Sequence, residues 1–199
     1  MSHLRSRLPA GLAALAIVVG AIGYLAYRPA SPSAPQGLPA RGFISYVADG
    51  DTIHVKADGQ TWKVRLIGID APELHSSPKL DREVERTGQD RKVIIGLGKR
   101  AADFTRQLCK GKPCRLEYDP ANAATGHRDV FQRLLAYVWI PGPDGRELLA
   151  NAEIIRRGYS MAFTRYAYDP ARQAEFLRLQ REARAQRRGL WGDRAWRRP

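Results

Sequence analysis

Asp51, Arg65, Asp70 and Glu73 are the residues whose types and spacing could do chemistry. They fall in two runs, Asp49-Gly50-Asp51-Thr52 and Val64-Arg65-Leu66-Ile67-Gly68-Ile69-Asp70-Ala71-Pro72-Glu73. Carboxylates gathered in one place repel one another, so they usually hold a cation. An arginine among them adds a planar fork that suits phosphate. Together these groups point to metal-assisted phosphate chemistry. Each alone has a plainer role: Asp-Gly commonly marks a hairpin turn, and a strand arginine commonly ties strands through an aspartate.

The elements that must position them are short strands. Val47, Ile53, Val55, Val64, Leu66, Ile67 and Ile69 supply a sheet core. Strands are predicted over 43–47, 52–56 and 61–69, a meander turning at Asp49-Gly50 and at Asp58-Gly59. Asp51 then opens the second strand, and Asp70, Ala71 and Glu73 follow the third. Residues 74–88 are polar and charged and read as a loop or loose helix. From 89 to 108 the spacing of Val93, Leu97, Ala101, Phe104 and Leu108 is helical, interrupted by Gly96 and Gly98. Further strands are expected over 114–118 and 133–140, and a helix over 147–157. A last helix opens at Asp169-Pro170 and runs to 188, with Phe176, Leu179 and Ala183 inward and Leu190 and Trp191 packing back. Five short strands with helices inserted suggest an α+β domain, and a small barrel would leave it no open edge.

The totals narrow the partners. A formal net charge of +13 over 199 residues favours an anionic partner, either nucleic acid or an acidic membrane face. Part of that charge is local: 178–199 carries eight arginines against Glu182 and Asp193, which form either a solvated face or a source of non-specific backbone attraction. The 20 residues of 8–27 carry no charge and suit a bilayer span. An uncleaved signal anchor is favoured there over a cleaved signal, because the cleavage sites on offer are poor. Arg5 and Arg7 before it put the amino terminus inside and the rest outside. The expected organisation is a transmembrane segment over 1–27, a Pro/Ser-rich linker over 28–40, a globular domain over 41–191 and a basic tail over 192–199. Cys109 and Cys114 flank a tight connection, Lys110-Gly111-Lys112-Pro113. Outside the cytoplasm a disulfide is favoured; two buried thiols are the alternative. His54, His75 and His127 have no metal-like spacing, although His75 lies near Glu73.

Four runs in order resemble the staphylococcal nuclease (thermonuclease) family: the two above, then Phe131-Gln132-Arg133-Leu134-Leu135-Ala136-Tyr137, and the closing Gly189-Leu190-Trp191. The resemblance implies a five-stranded OB-type β-barrel with three helices. It implies Ca2+-dependent hydrolysis of phosphodiesters in DNA, RNA or both. Asp51, Asp70 and the main-chain carbonyl of Ala71 would hold the metal, Arg65 and Arg133 would grip the scissile phosphate, and Glu73 would act on the attacking water. Three departures stand out, one of them a segment between Glu73 and the first helix that is longer than usual. Ala71 replaces a threonine, where only a carbonyl is needed, and Phe131-Gln132 replaces Tyr-Gly, which loses a phenolic contact. Tyr166 and Tyr168 sit where the family has tyrosines near the bound base; packing and base stacking are both open to them. The expected protein is a monomeric nuclease domain tethered to a membrane by its N-terminal helix and held outside the cytoplasm. The competing expectation is a non-catalytic nucleic-acid-binding module on the same barrel.

Overall fold

The computed structural model describes residues 34–196. The span expected over 8–27 and the first part of the linker lie outside them. Among the described residues no helix is long and apolar enough to cross a membrane.

Strands β1 (Arg41–Val47), β2 (Thr52–Ala57) and β3 (Gln60–Leu66) form the expected meander. β1 keeps one face buried through a bulge: Ile44 and Val47, three residues apart, are both fully buried because the register with β2 shifts between Ile44 and Tyr46, while Phe43 and Tyr46 face out. The third strand ends earlier than the sequence predicts. Gly68, at φ +75°, turns the chain sharply, and β4 (Ile69–Asp70) leaves the first sheet for another partner.

Residues 74–88 hold a fourth helix that polarity hides. Helix α1 (Pro78–Thr87) is capped by Ser77, whose hydroxyl accepts the Leu80 N–H at 3.2 Å, and it starts on proline. Gly88 closes it in the left-handed conformation, donating its N–H to Val84 O at 2.8 Å. Only Leu80 of this helix is buried, so the apolar periodicity is too sparse to announce it. Helix α2 (Arg91–Cys109) follows, capped by Asp90. The described residues thus carry four α-helices rather than three.

Strand β5 (Pro113–Glu117) pairs with β1, and β6 (Leu134–Pro141) pairs with β5. The first half of β6 also runs parallel to β3, with Val64 opposite Leu134 and Leu66 opposite Ala136. That pairing closes β1, β2, β3, β6 and β5 into a five-stranded barrel. The second half of β6 carries a short outer strand, β7 (Glu147–Leu149), where a longer helix is expected; helix α3 (Ala150–Arg156) begins only after it. β8 (Met161–Ala162) pairs with β4, and α4 (Pro170–Ala185) completes the elements.

One apolar core joins the barrel to α3 and α4 through Ile154, Ile155, Phe176 and Leu179. Asn151 is buried within it and fully used: its Oδ1 accepts the Val138 N–H at 2.9 Å, and its Nδ2 donates to Ile67 O at 2.9 Å. A second cluster lies between α2, α4 and the chain end, formed by Ala71, Leu97, Ala101, Ala183, Leu190, Trp191 and Trp196. Leu190 and Trp191 pack back as expected, and Trp196, assigned by composition to the basic tail, packs with them.

Candidate active site

The bend at Gly68 and the β3–β6 seam bring the predicted residues to one end of the barrel. Asp51, in the β1–β2 turn, is 4 % exposed. Its Oδ2 accepts the Ala71 N–H at 2.9 Å and meets Arg65 Nη2 at 3.0 Å. Arg65 projects from β3 and also reaches Asp70 Oδ1 at 3.3 Å. Its Nη1 donates to Leu66 O at 3.1 Å and Ile69 O at 2.8 Å, so the same guanidinium staples the bend. The hydroxyl of Thr52 donates to Asp51 Oδ1 at 3.1 Å and accepts from Arg133 Nη1 at 3.2 Å. Arg133 stands just before β6 and is gripped by Asp129, whose Oδ2 takes Nε and Nη2 at 2.7 Å each. The two arginines therefore belong to one chain of contacts, Arg65–Asp51–Thr52–Arg133.

Two glycines make the approach possible. A methyl group placed at Gly50 would lie 2.5 Å from the Ala71 side chain, and the Gly50 carbonyl accepts the Thr105 hydroxyl of α2 at 2.9 Å. A methyl at Gly98 would lie 2.3 Å from the Glu73 carbonyl oxygen. Gly98, which weakens the helical pattern of α2, is thus the floor on which the Glu73 turn rests. Glu73 itself lies beside the cluster rather than within it: its Oε1 accepts the N–H groups of Leu74 (3.0 Å) and His75 (3.4 Å).

Burial would raise the Asp51 carboxyl, but Arg65, Lys79 and the Ala71 amide outweigh it and hold that group at about 2. Asp49 moves the other way. Burial first, and the charge of Asp51 second, push it up to about 7. Its Oδ1 accepts the Asp51 N–H at 2.9 Å, so Asp49 is a fourth carboxylate that its turn signal conceals.

Asp51, Asp70, Ala71 and Arg65 are in direct contact, and Arg133 joins through Thr52. Sequence reasoning misses Lys79, on the first turn of α1, whose Nζ donates to Asp70 Oδ1 at 2.9 Å and to Ala71 O at 2.8 Å. Nothing in its polar neighbourhood signals this. Asp129, which holds Arg133, is missed as well, because a spacing of four marks a pair only on a helix and residues 129–133 form a turn. No group of three or more His, Cys, Asp or Glu side chains among the described residues is arranged to hold a metal ion. The favoured disulfide is not formed: Cys109 and Cys114 are free thiols, each packed in the main core at an end of the α2–β5 connection. Burial raises them to about 12 and about 11. Tyr168 is buried against Phe176, whereas Tyr166 is exposed.

Residues 63–193 match the family described as staphylococcal nuclease homologue. The chain is 31 % identical over 187 residues to a thermonuclease of Staphylococcus hyicus, covering 90 % of this chain and 96 % of that protein. It is 32 % identical over 184 residues to a micrococcal nuclease of Shigella flexneri, covering 92 % and 87 %. An uncharacterized protein of Methanocaldococcus jannaschii is 32 % identical over 153 residues, or 75 % of this chain and 70 % of the other.

Proposed function

The chain belongs to the staphylococcal nuclease family, and from that premise we propose that it is a Ca2+-dependent nuclease cutting DNA, RNA or both with little sequence preference. The observation that carries the reading is the contact chain from Arg65 through Asp51 and Thr52 to Arg133, beside the Asp70 carboxylate.

The donor set fits a hard cation. Asp70 Oδ1 and Ala71 O already converge on one positive group, the Lys79 ammonium, and Asp51 lies next to them with a carboxyl held ionised. Asp51, Asp70 and the Ala71 carbonyl would hold the ion, which when bound would polarise the phosphate and position a water. Arg65 and Arg133 supply the remaining positive charge. Each guanidinium can donate paired bonds to non-bridging phosphate oxygens and meet the charge that grows on them. Glu73 is the carboxylate to which we assign the proton of the attacking water.

The N-terminal segment 1–27 would anchor the protein in a membrane, with the linker 28–40 carrying a monomeric nuclease domain outside the cytoplasm. Protease added to spheroplasts, with the cytoplasmic membrane intact, should remove the domain, whether periplasmic or extracellular; a domain protected until that membrane is lysed would overturn this placement. The central test of the activity is degradation of plasmid and RNA by the full-length protein with calcium, then with chelator, beside Glu73→Gln. Calcium-dependent digestion that Glu73→Gln loses is expected. Undiminished digestion in chelator, or by the variant, would remove the metal mechanism or the role of Glu73. Binding without cutting would favour a non-catalytic module, a reading that leaves the acidic cluster without a purpose.

A further inference from the structure

Lys79 occupies the place that the proposed function gives to a metal. It stands two residues after the Ser77 cap of α1, with its side chain 33 % exposed. Its ammonium takes Asp70 Oδ1 at 2.9 Å and Ala71 O at 2.8 Å, two of the three oxygen donors expected for calcium. Arg65 covers the third, Asp51 Oδ2, at 3.0 Å. Two carboxylates are thereby matched by two of the chain's own cations. A divalent ion and the ammonium cannot share the same two oxygens, because both need those lone pairs and their charges repel. The lysine stem is flexible and partly exposed, and Glu83 lies one turn further along α1. The ammonium can leave without unfolding the helix, and Glu83, whose Oε2 takes the Glu73 N–H at 3.3 Å, is the carboxylate one turn along its own helix.

We propose that Lys79 is a specificity-determining residue of the site: a tethered cation that holds the metal ligands until a divalent ion displaces it, and so sets the calcium concentration at which the site fills. This rests on the nuclease reading above but makes a separate demand. A bare cluster of the same carboxylates would fill at lower calcium. The lysine keeps the ligands paired, and the acidic site tolerable, while calcium is scarce.

The test is calcium titration calorimetry on the full-length protein without nucleic acid, comparing wild type with Lys79→Met. The variant should bind calcium about tenfold more tightly or better, which is what removing one charge-assisted competitor is worth. Equal or weaker binding by Lys79→Met, with calcium still bound by wild type, overturns the competitor and leaves the metal reading intact. Calcium binding by neither protein overturns both. Should Lys79→Met not fold, amine acylation of wild type followed by mass spectrometry decides the matter. Lys79 should label slowly without calcium and several-fold faster with it, and labelling that calcium leaves unchanged or slows sinks the proposal.

Discussion

Arg65 forms ion pairs with two carboxylates and donates to two backbone carbonyls, so it is a structural tie as well as a candidate phosphate grip. Its truncation strands Asp51 in a buried position beside the Gly68 bend. Arg65→Ala should therefore cost roughly 3–5 kcal/mol of stability, measured by denaturant unfolding, because a buried charge loses its partner. Loss of activity in that variant would not by itself identify a phosphate contact. Arg133 separates the two roles better. Its side chain is 24 % exposed, and Asp129 would still hold a lysine there. Arg133→Lys should unfold near the wild-type midpoint yet cut at a rate lower by roughly a hundredfold, since the fork is lost while the charge remains. A third residue gives a pH dependence away from this site. Burial, and then Lys63 across the β2–β3 ladder, lower the His54 imidazole from its ordinary 6.5. The unfolded chain takes up that proton more readily than the folded one. The stability His54 permits is complete above pH 6.5 and is lost as pH falls through the lowered folded value. His54→Gln should flatten the fall in Tm on that acid side.

Helix α2 sets the height of the Glu73 turn. Gly98→Val would place a branched side chain where the Glu73 carbonyl passes and would lift the turn away from the cluster. The expected outcome is a large loss of kcat with the helical circular dichroism retained; normal digestion would show that the turn adapts. At this scale the sequence was legible where burial is strong. The apolar runs of β1, β2 and β6 and the stripe of α2 follow from residues that must be covered. It was least legible where structure rests on polar geometry. Helix α1 is fixed by Ser77, Pro78 and Gly88 with one buried leucine, so its end signals had no periodicity to bracket. The apolar run continues through Ile69 and predicts a third strand past Ile67, although the chain turns at Gly68 to meet β8. For the candidate site, Asp51, Arg65 and Asp70 are readable because they sit near the ends of patterned strands, whereas Arg133 is marked only by the family resemblance of its run. Lys79 is not readable, since its role comes from where a helix lands.

Across the whole molecule, the net charge of +13 overstates the free positive surface. On α4, Arg172 pairs with Glu175 and lies over the Tyr137 and Trp139 rings, Arg178 pairs with Glu182, and Arg184 lies over Trp191. Several arginines that composition would lend to nucleic acid are already engaged within the fold. Attraction for a polyanion should still be strongly electrostatic. Affinity of the Glu73→Gln variant for short DNA, read by anisotropy, should fall roughly tenfold or more from about 50 to about 200 mM salt. A flat response would mean that the surface charge plays no part in binding. The β3–β6 seam has a temporal side as well. Val64 and Leu134 are far apart in sequence, and pairings so remote are slow to form. Until then Arg65 and Arg133 belong to separate pieces of chain. A chain in which that seam is still open therefore lacks the paired guanidinium groups on which the proposed reaction depends.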